Sequence, residues 1–111
     1  MSSKQGRRWC FTLNNYTQEE FENIKRVLED KCKFAIVGKE VGENGTPHLQ
    51  GFFNLIEKKR FKCAKELIGA RCHIEAAIAT DDDNDKYCLK GGDFWRFGEP
   101  STGGKRNDLM L

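Results

Sequence analysis

Apolar residues recur along the chain with two different periods, which together predict three helices and five strands. After Thr17 the apolar spacing is helical, and Thr17 forms a capping box with Glu20, so a helix is predicted to begin there. Two further segments of helical pattern end at glycines, which commonly follow helices. The predicted helices span residues 18–29, 61–68 and 81–90.

Five shorter segments, rich in aromatic and β-branched residues, predict strands. They span residues 8–13, 33–40, 48–55, 71–78 and 93–98. Residues 42–47, GENGTP, are dense in turn-forming residues and predict a hairpin between the second and third strands. Alternation along the third strand places its side chains on two faces, with Leu49, Phe53 and Leu55 on one and His48, Gln50, Phe52 and Asn54 on the other.

Strands interleaved with helices predict an α+β fold in which about three helices pack against a five-stranded antiparallel sheet. This layout is typical of ferredoxin-like and RRM-like folds. The 111 residues, 38% of them hydrophobic, suit a single core. We expect residues 1–99 to form this domain, and residues 100–111 to be a linker toward a further domain that the sequence does not contain.

Composition narrows the function only by exclusion. Basic and acidic residues number 19 and 17, so the formal net charge of +2 does not by itself indicate a nucleic-acid partner. No apolar run approaches twenty residues, so no membrane partner is expected. Residues 1–8 lack the apolar segment of a secretory signal, which favours a reducing compartment. The five cysteines include no CxxC pair and are expected to be buried or half-buried free thiols.

Three polar residues of the predicted hairpin can converge on one ion. His48 and Gln50 are two positions apart on one strand and therefore share a face of the sheet. Glu40 ends the neighbouring strand and lies across the turn. One imidazole nitrogen and two oxygens form a hard ligand set that suits Mg²⁺ or Mn²⁺ and leaves room for phosphate oxygens. The alternative is an ordinary solvated strand face.

Tyr87 and Lys90 are three positions apart on the last predicted helix and therefore share a helical face. A tyrosine hydroxyl, with an ordinary pKa near 10, is a poor nucleophile at neutral pH until a metal or base assists it. A lysine one turn further along can hold a phosphate oxygen or assist a leaving group. The alternative is a packing tyrosine beside a surface lysine.

Three segments resemble, in order, the motifs of the HUH endonucleases that initiate rolling-circle replication. These segments are RWCFTLNN at 8–15, TPHLQGF at 46–52 and YCLKGGD at 87–93. The resemblance is closest to the N-terminal domain of the replication initiators of circoviruses and their relatives, where a glutamine replaces the second histidine of the second motif. It implies that Glu40, His48 and Gln50 hold Mg²⁺ or Mn²⁺, that Tyr87 is the nucleophile, and that Lys90 is the lysine of the third motif.

The resemblance also implies a substrate and a setting. The substrate is single-stranded DNA in the loop of a stem-loop at a viral origin, and tyrosine attack leaves a 5′-phosphotyrosine and a free 3′-hydroxyl for a host polymerase. Host replication machinery is thus an expected partner, the host nucleus the expected location, and oligomers are expected only through domains absent here. Residues 98–106 do not form a phosphate loop, because Arg106 stands where Ser or Thr would bind Mg²⁺. Lys39, beside Glu40, puts a second acidic ligand there in doubt.

Several polar and basic residues are candidate DNA contacts. A cluster of cations surrounds the start of the second helix, and it comprises Lys58, Lys59, Arg60, Lys62 and Lys65. The other candidates are Arg7, Arg8, Asn14, Arg71 and His73. Cations of this kind bind phosphates, and the short basic runs also resemble nuclear import signals. The alternative for the cluster is a solvated helix face.

Two other functions fit parts of the sequence. One is a noncatalytic RRM-like nucleic-acid-binding module, because Gly51, Phe52 and Phe53 partly match the aromatic signature of such modules. That interpretation leaves Tyr87 and Lys90 unexplained. The other is a protein-interaction domain that keeps the residues of an active site without its activity.

Overall fold

The computed structural model describes residues 5–100, which form one five-stranded antiparallel sheet and three helices. The elements are β1 (Gln5–Asn14), α1 (Gln18–Lys31), β2 (Cys32–Val41), β3 (Pro47–Arg60), α2 (Phe61–Ile68), β4 (His73–Ala76), α3 (Asp81–Leu89) and β5 (Asp93–Gly98). The strand order is β4-β1-β3-β2-β5. These findings confirm the predicted α+β fold. Within residues 5–100, no helix combines the length and apolar character that crossing a bilayer requires.

The first four strands have the ferredoxin-like arrangement, in which β3 lies between β1 and β2 and pairs antiparallel with both. The α3 helix then leads to β5, which pairs antiparallel with the free edge of β2. The two helices that follow β1 and β3 cover one face of the sheet, and α3 contacts β2 and β3. The sheet is therefore enclosed by helices on both faces, and the pairing of β2 with β3 confirms the predicted hairpin.

The main core lies between the sheet and the pair α1 and α2. The capping box of Thr17 and Glu20 is present at the start of α1, because the Thr17 hydroxyl accepts a bond from the Glu20 amide and the Glu20 carboxylate accepts one from the Thr17 amide. The helix then buries a stripe against the sheet. Its buried residues are Phe21, Ile24 and Leu28, and the strands contribute Trp9, Phe11, Leu13, Ala35, Val37, Leu49, Phe53 and Leu55.

The opposite face of the sheet packs against α3 through a smaller cluster of Phe34, Ile36, Phe52 and Cys88. Phe52 thus lies on the other face from Phe53, as the alternation of the third strand predicts. Gly38 is needed here for a close approach, since a Cβ at this position would lie 2.3 Å from the carbonyl oxygen of Cys88. The glycine lets the last turn of α3 pass directly over β2.

Several predicted boundaries were wrong. The first strand begins at Gln5 instead of residue 8, and α1 ends at Lys31 instead of residue 29. The third strand continues to Arg60 instead of ending at residue 55, because the first residues of β1 pair with its far end, Gln5 opposite Arg60. The fourth strand covers only His73–Ala76, since only four of its residues pair with β1. The third helix ends at Leu89 and Lys90 is its C-cap residue. Of the predicted linker, residues 101–111 lie outside the described residues.

All five cysteines are free, as predicted. Burial raises the pKa of the Cys72 thiol to about 11 and those of the Cys32 and Cys88 thiols to about 12. Burial also raises the pKa of Cys10. Cys63 is exposed, so the prediction of a buried or half-buried thiol was wrong at this position. The buried thiols therefore stay protonated at neutral pH and act as small apolar side chains.

Candidate active site

The β2–β3 hairpin brings Glu40 and His48 together. The two residues are directly opposite each other in the antiparallel pairing, and the Glu40 Oε1 atom lies 3.3 Å from His48 Nε2. Both side chains are mostly buried, with 13% and 19% of their surfaces exposed. Gln50 lies two residues beyond His48, opposite Gly38, so the three candidate ligands share the face of the sheet that α3 covers in part.

The donor set of the hairpin fits a hard divalent ion. It offers one carboxylate, one imidazole and one amide, the ligand types that Mg²⁺ and Mn²⁺ accept. Among residues 5–100 no group of three or more His, Cys, Asp or Glu side chains could hold a metal, so a site here depends on the Gln50 amide as the third ligand. The metal-binding role of these residues stays a prediction.

Tyr87 and Lys90 lie at the end of α3, beside the hairpin. Tyr87 is 51% exposed, and the Lys90 Nζ atom lies 4.6 Å from the centre of its ring. The same Nζ atom donates to both carboxylate oxygens of Glu40, at 2.9 and 3.0 Å. These bonds raise the pKa of Lys90. One ammonium group therefore connects the tyrosine to the candidate metal ligand.

Two neighbouring depressions give access to these side chains from solvent. Tyr87 and Gln50 line a groove of about 400 Å³, together with residues of the segment that joins β4 to α3. Glu40 and Lys90 line a wider depression of about 760 Å³ at the turn end of the hairpin.

The Lys39 ammonium lies 4.6 Å from the centre of the Phe21 ring, which is part of the core on the α1 side.

Two buried carboxylates, which were not predicted from the sequence, hold α3 on the sheet. The Asp81 side chain is 2% exposed and pairs with Arg8 of β1, with 2.7 Å between Asp81 Oδ1 and Arg8 Nε. The Asp85 carboxylate accepts two bonds from the Arg96 guanidinium of β5, at 3.0 and 2.8 Å. The aspartates at residues 81–83 lie in the first turn of α3, where their charges also complement the helix dipole. The four-residue spacing of Asp81 and Asp85 could have indicated a shared buried face.

The first of these pairs is part of a larger buried network. The Asp81 Oδ2 atom accepts a bond of 3.0 Å from the Asn54 amide, while the Asn54 Oδ1 atom is buried and has no hydrogen-bond partner among the described residues. The Arg8 guanidinium also donates to the Ala79 carbonyl and lies 5.3 Å from the centre of the Phe52 ring. Arg8, a predicted DNA contact, is therefore engaged within the protein.

The other predicted DNA contacts differ in their position and in the contacts that they make within the protein. Asn14 is exposed and pairs with His48 across β1 and β3, so it lies at the edge of the candidate site. His73 is exposed and its Nε2 atom lies 2.8 Å from Glu75. The Arg71 guanidinium pairs with the Glu20 carboxylate at 2.9 Å and also donates to the Asn14 and Asn15 carbonyls.

The basic residues around the start of α2 lie far from the site. Lys58, Lys59 and Arg60 are the last residues of β3, beyond the predicted end of that strand at residue 55. On the paired strand β1, the partners of His48 and Arg60 are nine residues apart, which corresponds to roughly 30 Å at about 3.3 Å per residue. Arg7 lies at the same end, where its Nε atom donates to the Ile56 carbonyl at 3.2 Å. DNA binding by these residues stays a prediction.

The fold is consistent with a ferredoxin-like HUH domain, and the polar hairpin and the helix that carries Tyr87 lie on one face of the sheet. A family model described as "Putative viral replication protein" matches residues 6–91, and the chain belongs to this family.

Three relatives, each a replication-associated protein, confirm the resemblance to the N-terminal domain of circovirus-like initiators. The relative from Human associated cyclovirus 1 is 44% identical, covering 99% of this chain and 40% of its own length. The relative from Beak and feather disease virus is 52% identical, and the match covers 84% of this chain and 33% of the relative. The relative from Porcine circovirus 2 is 44% identical, and the match covers 97% of this chain and 37% of the relative. The chain thus spans two fifths or less of the length of these relatives.

Proposed function

We propose that this domain initiates rolling-circle replication of a circular viral genome by nicking and rejoining single-stranded DNA at a stem-loop origin. The single observation that supports this most is the Lys90 ammonium, which lies against the Tyr87 ring and bonds to Glu40 of the hairpin. A phosphate held at this point would be within reach of a nucleophile, a cation and the candidate metal ligands at once. Membership in a family of viral replication proteins supports the same reaction.

In the proposed reaction, the Tyr87 hydroxyl oxygen attacks the scissile phosphorus and its proton passes to solvent. A bond forms between phosphorus and the tyrosine oxygen, the bond to the 3′-oxygen breaks, and that oxygen takes up a proton. One phosphodiester replaces another, so nicking and rejoining need no nucleotide cofactor. Mg²⁺ or Mn²⁺ held by Glu40, His48 and Gln50 would stabilise the charge on the phosphate as a Lewis acid.

The chain's own residues prepare this step. The Asp81 and Asp85 pairs fix α3 on the sheet, and fixing the helix fixes the position from which Tyr87 attacks. Lys90 supplies a cation for a phosphate oxygen or for the leaving 3′-oxygen. A host polymerase would then extend the free 3′-hydroxyl, and we expect the reaction to take place in the host nucleus.

The test uses a stem-loop oligonucleotide with Mn²⁺ or with a chelator. An oligonucleotide labelled at its 3′ end should become an adduct that survives denaturation, because tyrosine stays on the 5′-phosphate of the downstream strand. An acceptor strand with a free 3′-hydroxyl should then release the adduct by rejoining. Tyr87→Phe should abolish the adduct. Tyr16→Phe, a change at the only other tyrosine in the chain, should not.

Loss of the adduct in Tyr16→Phe, or an adduct that Tyr87→Phe leaves intact, would contradict the assignment of the nucleophile. An adduct that forms equally well in the presence of chelator would contradict the proposed requirement for a divalent metal ion. His48→Ala should lose cleavage while retaining most DNA affinity, because phosphate contacts dominate binding.

A noncatalytic RRM-like module is a weaker alternative on this structure. In such modules the aromatic residues of the third strand stack on bases and must therefore be exposed. Phe52 and Phe53 are each 0% exposed, the first under α3 and the second in the main core. Intact oligonucleotide under all metal conditions would nevertheless favour binding without catalysis.

A further inference from the structure

The Glu40 carboxylate forms an ion pair with Lys90 within the protein. Lys90 Nζ donates to both of its oxygens, at 2.9 and 3.0 Å, and His48 Nε2 lies 3.3 Å from Oε1. The carboxylate is mostly withdrawn from water, with 13% of its side chain exposed, and a carboxylate in that position needs a positive partner. In the structure, the partner is an ammonium group carried by the same helix as Tyr87.

The backbone after α3 is shaped for this contact. Gly91 follows Lys90, and a Cβ at this position would lie 3.1 Å from Glu40 Cγ and 3.1 Å from the Lys39 carbonyl oxygen. A glycine lets the end of the helix approach the carboxylate closely. The Lys90 side chain is nevertheless 47% exposed, so its cation can turn into solvent without being buried alone.

Lys90 and a divalent ion would use the same oxygens. A hard dication held by Glu40 and His48 would lie about 2 Å from a carboxylate oxygen, and the ammonium, 2.9 and 3.0 Å from the two oxygens, would be adjacent to it and repelled. Because the Lys90 partner of this ion pair is 47% exposed, the pair contributes only about 1 kcal/mol, which is small enough for a divalent ion to displace the ammonium.

We propose that Lys90 is an internal counterion of Glu40 that a divalent ion displaces, and that the displaced ammonium then takes a DNA phosphate as its partner beside Tyr87. Lys90 thus prevents an unpaired carboxylate at the empty site, and it becomes available to the substrate only when the ion is bound. This inference rests on the metal site of the proposed function.

The test is the affinity for Mn²⁺ of the DNA-free protein, measured by electron paramagnetic resonance of the free ion. Lys90→Met removes the competing cation and should lower the Kd for Mn²⁺ by about two- to fivefold relative to the matched control. The control is Lys86→Met, which removes the same charge from the same helix, since Lys86 lies 4.0 Å from Asp82 and pairs with that residue instead of Glu40. Lys90→Arg, which keeps the charge, should bind Mn²⁺ about as the unaltered protein does.

Equal Kd values for Lys90→Met and Lys86→Met would overturn the inference, because the Lys90 contact would then not compete with the ion. His48→Ala separates this failure from failure of the metal site itself. If the unaltered protein binds Mn²⁺ and His48→Ala does not, the site exists whatever Lys90 does. If none of the variants binds Mn²⁺, both the metal site and the inference fail. Thermal unfolding of each variant shows whether it is folded.

Discussion

Replacing Asp81 by alanine tests whether buried charge holds α3 on the sheet. The Asp81 carboxylate, 2% exposed, accepts from Arg8 at 2.7 Å and from Asn54 at 3.0 Å. Losing a charge-assisted bond costs about 1.5–3 kcal/mol, and leaving the buried Asn54 amide unpaired costs about 1–3 kcal/mol more. The Arg8 side chain is 31% exposed and can turn partly to water, so the lower part of the combined range applies. We expect Asp81→Ala to lower the free energy of unfolding by about 3 kcal/mol.

Urea and thermal unfolding followed by circular dichroism measure this loss. For a domain of this size, about 3 kcal/mol corresponds to a fall in Tm of roughly 12–24 °C. The matched control is Asp82→Ala in the same helical turn, where the carboxylate is 61% exposed and pairs with Lys86 at 4.0 Å. Its effect should stay within about 1 kcal/mol. If the two variants unfold at the same temperature, buried charge does not hold this helix.

Three further predictions concern packing, pH and DNA. Gly38→Ala should destabilise the protein by about 2 kcal/mol or more in urea unfolding, because its Cβ would lie 2.3 Å from the Cys88 carbonyl oxygen; an unchanged midpoint would contradict this close approach. Hydrogen bonds from Arg71, and next from the Thr17 amide at the helix cap, lower the pKa of Glu20 from 4.5 to about 2. The stability that the ionised Glu20 carboxylate adds to the fold is therefore fully present above pH 4.5 and is lost as the pH falls toward 2. The stability gap between the unaltered protein and Glu20→Gln should therefore shrink from pH 6 to pH 3, and a constant gap would argue against it. Lys58→Ala should weaken binding of origin and scrambled oligonucleotides equally, without changing cleavage at saturating DNA. It should also reduce, by about 1, the slope of the logarithm of the binding constant against the logarithm of the salt concentration.

Local patterns were enough to predict most of the fold. The capping box at Thr17 fixes where α1 begins, since both of its bonds form between residues three positions apart. The alternation of β3 and the turn residues before it place Glu40, His48 and Gln50 on one face, because a strand has a period of two and a hairpin sets its own register. The type of fold and the approximate position of the candidate ligands therefore followed from short-range information.

Contacts between distant segments decided the rest. Arg8 and Asp81 are 73 positions apart, and their charges gave no sign in the sequence that they would form a buried pair. Arg71 carries the charge expected of a DNA contact, yet it bonds to Glu20, 51 positions away. The strand end at Arg60 also depends on a distant partner, Gln5, and not on its own residues.

The sequence by itself determined that a tyrosine and a lysine share one helical face and that a carboxylate and an imidazole face each other across a hairpin. Only the tertiary structure decided that Lys90 meets Glu40, 50 positions away. Spacing within a helix or a hairpin follows from backbone geometry, which short-range sequence dictates. The position of α3 over β2 follows instead from long-range packing at Gly38 and from the buried Asp81 and Asp85 pairs, whose partners no local pattern identifies.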